Sequence, residues 1–232
     1  MIIQIYAFTD PETAVAAIEL GVDNIGFIAG KYDLVFGELS FDEAKEIVQA
    51  IPTGATSTAI TMSDQVDEIL RMANAIKPNI VHISSDVNLV DIEDMRKLRN
   101  CLSPEIQLMK AIPVGGEESI ALARQYALVS DLLLLDTSKE GFPGVGATGF
   151  IHNWSISRQI IESVHIPVIL AGGLSSENVV EAIQAVKPWG VDSNTSTNVP
   201  GSRVEKDLGR IAAFVSAIKN SESADEGGVQ KA

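Results

Sequence analysis

An aspartate at the end of an apolar run is the side chain best suited to acid–base chemistry in this sequence. Asp136 closes the run "LLLL", and Asp192 stands in a similar place after "WGV". A carboxylate with apolar neighbours has a raised pKa and can exchange a proton near neutral pH. We therefore predict catalysis or ligand contact for Asp136, with a loop-capping aspartate as the alternative.

Two glycine-containing segments predict a phosphate site. Gly172 and Gly173 follow the buried run "PVILA" and precede a helix, where free backbone N–H groups and the helix dipole favour an anion. A second loop could turn its N–H groups toward the same anion, through Gly144, Gly146 and Gly149. Hydroxyl groups after Asp192 add donors, at Ser193, Thr195, Ser196 and Thr197. The alternative is tight helix–strand packing and a polar turn.

Three further polar side chains interrupt apolar strands. Lys110 in "LMKAIPV" would be costly to bury without an anion, so it contacts a ligand or pairs with a structural carboxylate. His82 alternates with aliphatic residues and faces either inward or toward a helix. Tyr6 lies at the end of the first apolar run, where it is an active-site residue, a plug of the barrel or an ordinary core residue. The three histidines and Cys101 have no metal-ligand spacing, so no metal site is predicted.

These residues lie at the ends of regularly repeated segments. Short β-branched runs alternate with amphipathic stretches, which predicts repeated βα units and a parallel sheet. The predicted strands are Ile2–Phe8, Asn24–Ala29, Ala55–Thr61, Asn79–Ser84, Ile106–Ile112, Asp131–Asp136, Ile166–Ala171 and Trp189–Ser193. The predicted helices are Asp10–Leu20, Phe41–Ala50, Asp64–Ile76, Leu89–Cys101, Glu117–Val129, Trp154–Val164, Ser176–Val186 and Glu205–Ile218. Eight units predict an α/β fold with a single (β/α)8 TIM barrel, and a doubly wound open sheet is the alternative.

Composition and charge restrict the classes of partner. The 232 residues carry a formal net charge of -14, which repels nucleic acid and anionic lipid but permits a small phosphorylated ligand. The single cysteine allows no intrachain disulfide and suits a cytoplasmic location. We find neither a signal peptide nor an apolar run of the ~18 residues that span a membrane. The polar segment 220–232 is predicted to be a disordered tail, which leaves 1–219 for the barrel.

From Gln4 to about Phe214 the sequence resembles the phosphoribosylanthranilate isomerase family. The resemblance is most specific in "LLLDT…GATGFIHNW", "PVILAGGLSSENVVEAI…KPWGVD" and "VPGSRVEKD". It implies a (β/α)8 barrel that binds a small phosphorylated substrate, as a monomer or homodimer. It also implies an Amadori rearrangement in tryptophan biosynthesis, which opens a ribose ring, turns an aminoaldose into an aminoketose and needs no cofactor.

The resemblance assigns the proton transfers and shows one departure in them. Asp136 matches the family carboxylate that protonates the furanose oxygen. The family base is the cysteine of a lysine-isoleucine-cysteine-glycine start, and here that segment reads Gln4-Ile5-Tyr6-Ala7. A phenol with a reference pKa of about 10 is a poor base at neutral pH. The ring of Tyr6 could instead fill the pocket or stack on a ligand.

Other departures surround the same site. The loop after the second strand lacks the usual family arginine, which leaves Lys31 as the nearest cation. Segment 82–85 reads "HISS" where the family has glutamine-leucine-histidine-glycine, and segment 194–198 reads "NTSTN" in place of serine-serine-glycine-valine-glutamate. The candidate catalytic residues are Asp136 and Tyr6, and the candidate binding residues are Gly146, Gly149, Gly172, Gly173, Asp192, Thr195, Ser196, Lys110 and His82. The sequence predicts an isomerase of this type with altered or reduced catalysis. The alternatives are a relative acting on another phosphosugar and a non-catalytic phospholigand-binding protein.

Overall fold

The protein is a closed barrel of parallel strands surrounded by helices. The computed structural model describes residues 1–137, 144–146 and 151–228. The strands are β1 (Ile2–Ile5), β2 (Asn24–Ala29), β3 (Glu38–Leu39), β4 (Thr56–Thr61), β5 (Ile80–Ile83), β6 (Gln107–Pro113), β7 (Leu132–Asp136), β8 (Val168–Leu170) and β9 (Gly190–Ser193). The helices are α1 (Pro11–Leu20), α2 (Phe41–Ala50), α3 (Val66–Ile76), α4 (Ile92–Cys101), α5 (Glu118–Tyr126), α6 (Trp154–Ser163), α7 (Val179–Val186) and α8 (Leu208–Gly228).

Closure of the sheet confirms the predicted TIM barrel. The strands follow one another in the order β1-β9-β8-β7-β6-β5-β4-β2, and β1 also pairs with β2. An open doubly wound sheet would leave two unpaired edges, so this alternative is excluded. The two-residue strand β3 extends the sheet beside β2 and lies outside the ring of eight.

The first strand is shorter than the sequence predicts. β1 ends at Ile5, whereas the apolar run predicts a strand as far as Phe8. Ala7 adopts a left-handed conformation with a φ of 68°, which no extended strand contains. The chain therefore turns at Tyr6 and Ala7, directly above the barrel, and the Tyr6 side chain is buried there.

Helix ends follow the local sequence. Ser40 and Glu43 form a reciprocal capping box at the start of α2, and Asp10 caps α1 by accepting from the Thr13 backbone N–H. Helix α8 continues past position 220 to Gly228, so its last turns occupy part of the predicted tail. The limits of the domain and of the tail stay a prediction. No helix in the described part of the chain is both long and apolar enough to cross a membrane.

The barrel interior combines an apolar cluster with a polar layer. The apolar cluster contains Ile80, Met109, Leu132, Leu134, Ile169 and Ala171. The polar layer is centred on the fully buried Gln4, whose Nε2 donates to Asp192 Oδ1 at 3.2 Å. Gln4 Oε1 accepts from Asn24 Nδ2 and Thr58 Oγ1, each at 3.4 Å. Hydrogen bonds between these side chains offset the cost of burying them.

Candidate active site

A cavity of about 580 Å³ opens at the C-terminal ends of the barrel strands. This volume is within the range of pockets that bind small organic ligands. The lining residues that matter most for chemistry are Tyr6, His82, Asp136, Gly146, Gly172, Gly173, Asp192, Thr195 and Arg203. The barrel thus brings together most of the residues that the sequence predicts for the site.

Asp136 is a nearly buried carboxylic acid at the end of β7. Burial raises its pKa to about 6, although donors from Thr137 lower it in part. Its Oδ1 accepts from the backbone N–H of Thr137 at 2.7 Å and from the hydroxyl at 3.3 Å. A Cβ built on Gly146 would lie 2.6 Å from Asp136 Oδ2, so the loop approaches the carboxylate as only glycine allows. The carboxyl group can therefore hold or release a proton near neutral pH.

Asp192 is the second carboxyl group of the cavity and is more strongly perturbed. Burial raises its pKa to about 8, and the charge of Asp136 acts in the same direction. The hydrogen bond from Gln4 and the ammonium group of Lys206 lower the pKa only in part. Asp136 therefore ionises before Asp192 as the pH rises.

Tyr6 and His82 form a buried hydrogen-bonded pair in the wall of the cavity. The sequence left open whether His82 faces the barrel interior or a helix. In the structure it faces the interior, and its Nδ1 lies 2.5 Å from Tyr6 Oη. Burial raises the pKa of Tyr6 well above its ordinary value, and Asp192 adds to this effect. Burial also lowers the pKa of His82 to about 3, with a smaller contribution from Lys110. Burial therefore favours the neutral forms of both the phenol and the imidazole, which share this hydrogen bond.

The predicted phosphate residues divide into two groups. Gly172 and Gly173 lie in the cavity wall directly after β8, both with positive φ, and Thr195 lies beside them after β9. The hydroxyl of Ser196 donates to the Leu174 carbonyl and bonds to Ser193 Oγ at 2.7 Å, so this side chain is engaged within the protein. Gly149 lies outside the described residues.

Two predicted cations lie away from the cavity. Lys110 faces the helix layer, where its Nζ lies 2.5 Å from the Ser85 carbonyl and 5.6 Å from the ring centre of Tyr126. Backbone carbonyls and an aromatic face thus take the place of the predicted anion. Lys31 lies at the surface and pairs with Glu43 at 3.3 Å. Neither side chain lines the cavity.

A comparison with protein families decides which family the chain represents. Residues 3–217 match the family model described as N-(5'phosphoribosyl)anthranilate (PRA) isomerase. The chain belongs to this family. Within the described residues, no cluster of three or more histidine, cysteine or acidic side chains is arranged to hold a metal ion.

Curated relatives that carry the name of this family match nearly the whole chain. The N-(5'-phosphoribosyl)anthranilate isomerase of Haloferax volcanii is 34% identical over 96% of this chain and 95% of its own length. The N-(5'-phosphoribosyl)anthranilate isomerase 2 of Methanosarcina mazei is 35% identical over 90% of each chain. The chain is therefore similar to these isomerases along its full barrel.

Solved structures of the family have the same fold. Phosphoribosyl anthranilate isomerase from Thermotoga maritima superposes with a TM-score of 0.79 and 26% identity, covering 95% of this chain and all of the other. A further phosphoribosyl anthranilate isomerase, crystallised with reduced 1-(o-carboxyphenylamino)-1-deoxyribulose 5-phosphate, has a TM-score of 0.77 and 24% identity over 95% of this chain and 100% of its own. These structures therefore share the barrel fold of the present chain.

Several site residues escape prediction from the sequence. Arg203 and Asn198 line the cavity from the loop after β9, and Lys206 is buried behind them. Lys206 Nζ donates to Asn198 Oδ1 at 2.6 Å and to Asn194 Oδ1 at 3.0 Å. An apolar wall opposite the glycines consists of Leu34, Val35, Phe36, Ile60 and Met62. Only the position of these segments directly after barrel strands could have indicated them.

Proposed function

We propose that the protein isomerises N-(5'-phosphoribosyl)anthranilate by an Amadori rearrangement, slowly at neutral pH. The observation that carries this proposal is the partly buried Asp136 in the cavity, whose pKa of about 6 suits a general acid at the C-terminal end of a barrel strand. Family membership supports the same reaction.

The first step is opening of the ribose ring. Asp136 donates its proton to the furanose oxygen, and the bond between that oxygen and C1 breaks with its electron pair going to oxygen. The lone pair of the anthranilate nitrogen forms the C1–N double bond. The positive φ of Gly172 and Gly173 brings backbone close to the cavity, where N–H groups can bind the phosphate.

The second step is removal of the proton on C2. The electron pair of the broken C2–H bond forms the C1–C2 double bond, and the π pair of the C1–N double bond returns to nitrogen. The resulting enol becomes the ketone when the C2 hydroxyl loses its proton and C1 gains one. Tyr6 occupies the position of the family base. Because burial raises the pKa of its phenol well above the ordinary value, the fraction of competent base at pH 7 is small. The weakness of a general base costs ~10²–10⁴-fold in rate.

The same observation favours a second candidate function. A chain whose base position holds a protonated phenol could bind a phosphorylated ligand without turning it over, or act on another phosphosugar.

The state of the protein as monomer or homodimer and its cytoplasmic location stay predictions. The single cysteine supports the predicted location.

The test follows loss of anthranilate fluorescence with freshly prepared substrate between pH 6 and 10. We expect slow turnover by the natural protein and faster turnover by Tyr6→Cys, because a thiol ionises more readily than a buried phenol. Tyr6→Phe is the matched control: it keeps the ring that fills the site but has no group to take a proton, so it should be inactive. Absence of turnover from both the natural protein and Tyr6→Cys would refute the isomerase proposal and favour the binding function.

A further inference from the structure

The two sides of the cavity differ in chemistry. Glycines and a threonine hydroxyl lie after β8 and β9, whereas the side formed after β2 and β4 is apolar. Two large apolar side chains on that second side are unusually exposed, Phe36 at 61% and Leu34 at 46%. Burying such exposed apolar surface against an apolar group of a ligand is favourable, because it removes both surfaces from water.

One cation stands at the rim of this apolar wall. The guanidinium carbon of Arg203 lies 4.5 Å from the centre of the Phe36 ring. Among the described residues, no carboxylate forms an ion pair with Arg203, although most of the other arginines have one. Stacking on a ring uses the flat face of a guanidinium and leaves its edge donors free for a planar anion.

The loops that carry these two side chains are packed against each other. A Cβ built on Gly37 would lie 3.1 Å from Val204 Cγ1, so the loop after β2 touches the loop after β9. The carboxylate of Glu38 also accepts from four consecutive backbone N–H groups, at 2.7 Å for Tyr32, 2.7 Å for Asp33, 3.0 Å for Leu34 and 3.1 Å for Val35. The loop holding Phe36 is thus ordered before any ligand arrives, which lowers the entropy cost of binding.

We infer that Arg203 and Phe36 form the receptor for an aryl carboxylate, with the guanidinium binding the carboxylate and the apolar wall holding the aromatic ring. This inference rests on the proposed function, because the anthranilate group of that substrate is an aryl carboxylate. The loop after β2 lacks the usual family arginine, and in this inference Arg203 in the loop after β9 supplies the positive charge instead. Arg203 is then a residue that determines specificity and takes no part in proton transfer.

The test compares two ligands that differ only in the carboxyl group. One is reduced 1-(o-carboxyphenylamino)-1-deoxyribulose 5-phosphate, and the other is its phenylamino counterpart. Isothermal titration calorimetry measures the dissociation constant of each for the natural protein, Arg203→Gln and Arg203→Lys. Arg124→Gln is the matched control, since this exposed arginine on α5 does not line the cavity.

We expect Arg203→Gln to weaken binding of the carboxylated ligand about 10- to 100-fold, as for loss of a charge-assisted hydrogen bond, with no change for its counterpart. The dissociation constant of Arg203→Lys should lie between those of the natural protein and Arg203→Gln, because lysine keeps the charge but cannot form two parallel hydrogen bonds with a carboxylate. An equal effect on both ligands, or none on either, would overturn the inference. So would failure of the natural protein to bind the carboxylated ligand.

Binding and turnover separate this inference from the proposed function. Carboxyl-selective loss of binding in a protein without turnover would uphold the aryl carboxylate receptor and refute the isomerase. Turnover that is unaffected by Arg203→Gln would uphold the isomerase and refute the receptor.

Discussion

Asp136 and Asp192 occupy one cavity, but their surroundings separate their proton affinities. Asp136 accepts two hydrogen bonds from Thr137, which stabilise its ionised form, and its pKa is about 6. Asp192 receives one longer bond from Gln4 and has a pKa of about 8. Asp136 is therefore the group that exchanges a proton most readily near neutral pH, and Asp192 is mainly protonated there.

Replacement of Asp136 should remove turnover without disturbing ligand binding. Asp136→Asn keeps the size of the side chain but has no proton to donate, so we expect kcat to fall by ~10²–10⁴. Calorimetry with the reduced product analogue provides the control, and its dissociation constant should stay close to that of the natural protein. Retained turnover would place the acid elsewhere.

The pH dependence of the natural protein provides an independent prediction at the same residue. The reactive form needs Asp136 protonated and the phenol of Tyr6 ionised. Below about pH 6 we expect kcat/KM to rise about tenfold per pH unit, because the ionised phenol becomes more abundant. Above it, loss of the Asp136 proton cancels this rise, so the profile should level off. A steady rise through pH 9 would contradict the assignment of the acid.

At the scale of secondary structure, β1 and β2 are fitted to each other around the Tyr6 ring. A Cβ built on Gly26 would lie 2.2 Å from Tyr6 Cδ1, so the ring occupies the space where any other residue of β2 would have a side chain. The glycine thus serves the ring and not the backbone of the strand, where alanine is more stable by about 0.5–1 kcal/mol.

This fit predicts that the effect of Gly26→Ala on the free energy of unfolding depends on the residue at position 6. Gly26→Ala should lower the free energy of unfolding by about 1–3 kcal/mol in the natural protein, as overpacked core residues do. In the Tyr6→Cys background the clash is gone, and the same change should be neutral or stabilising. Urea unfolding of the four proteins in a double-mutant cycle measures the coupling. Equal costs in both backgrounds would show that Gly26 is needed for another reason.

The elements were predictable because each is encoded locally, whereas contacts between loops are not. Alternating hydrophobicity places the strands of the barrel, and Ser40 with Glu43 marks the start of α2. The carboxyl-end positions of Asp136 and Asp192 follow directly. The turn at Ala7 is missed because its left-handed conformation leaves no trace in an alanine. The pairing of Arg203 with Phe36 joins loops far apart in sequence, so no local pattern reports it.

At the scale of the whole molecule, the barrel buries several ionisable groups whose charged forms are costly to remove from water. Asp192, His82 and Lys206 each have a pKa displaced by burial toward their neutral forms, to about 8, 3 and 7. Their effects on the pH dependence of stability have opposite signs and partly cancel. The pH dependence of the free energy of unfolding of the natural protein therefore reports only their sum, and a comparison with variants is needed to measure any one of them.

Asp192 gives the clearest such prediction. Its pKa is about 4 in an unfolded chain and about 8 in the folded protein, so its contribution to stability is complete below pH 4 and is lost as the pH rises through 8. Asp192→Asn cannot ionise and keeps an oxygen that can accept from Gln4. The free energy of unfolding of this variant, relative to the natural protein, should therefore increase steadily from pH 4 to pH 8. Urea unfolding at several pH values measures it, with the exposed Asp33→Asn as a control that should show no such trend. A difference independent of pH would mean that Asp192 is already ionised in the folded barrel, and Gln4 would then be the partner of a buried charge.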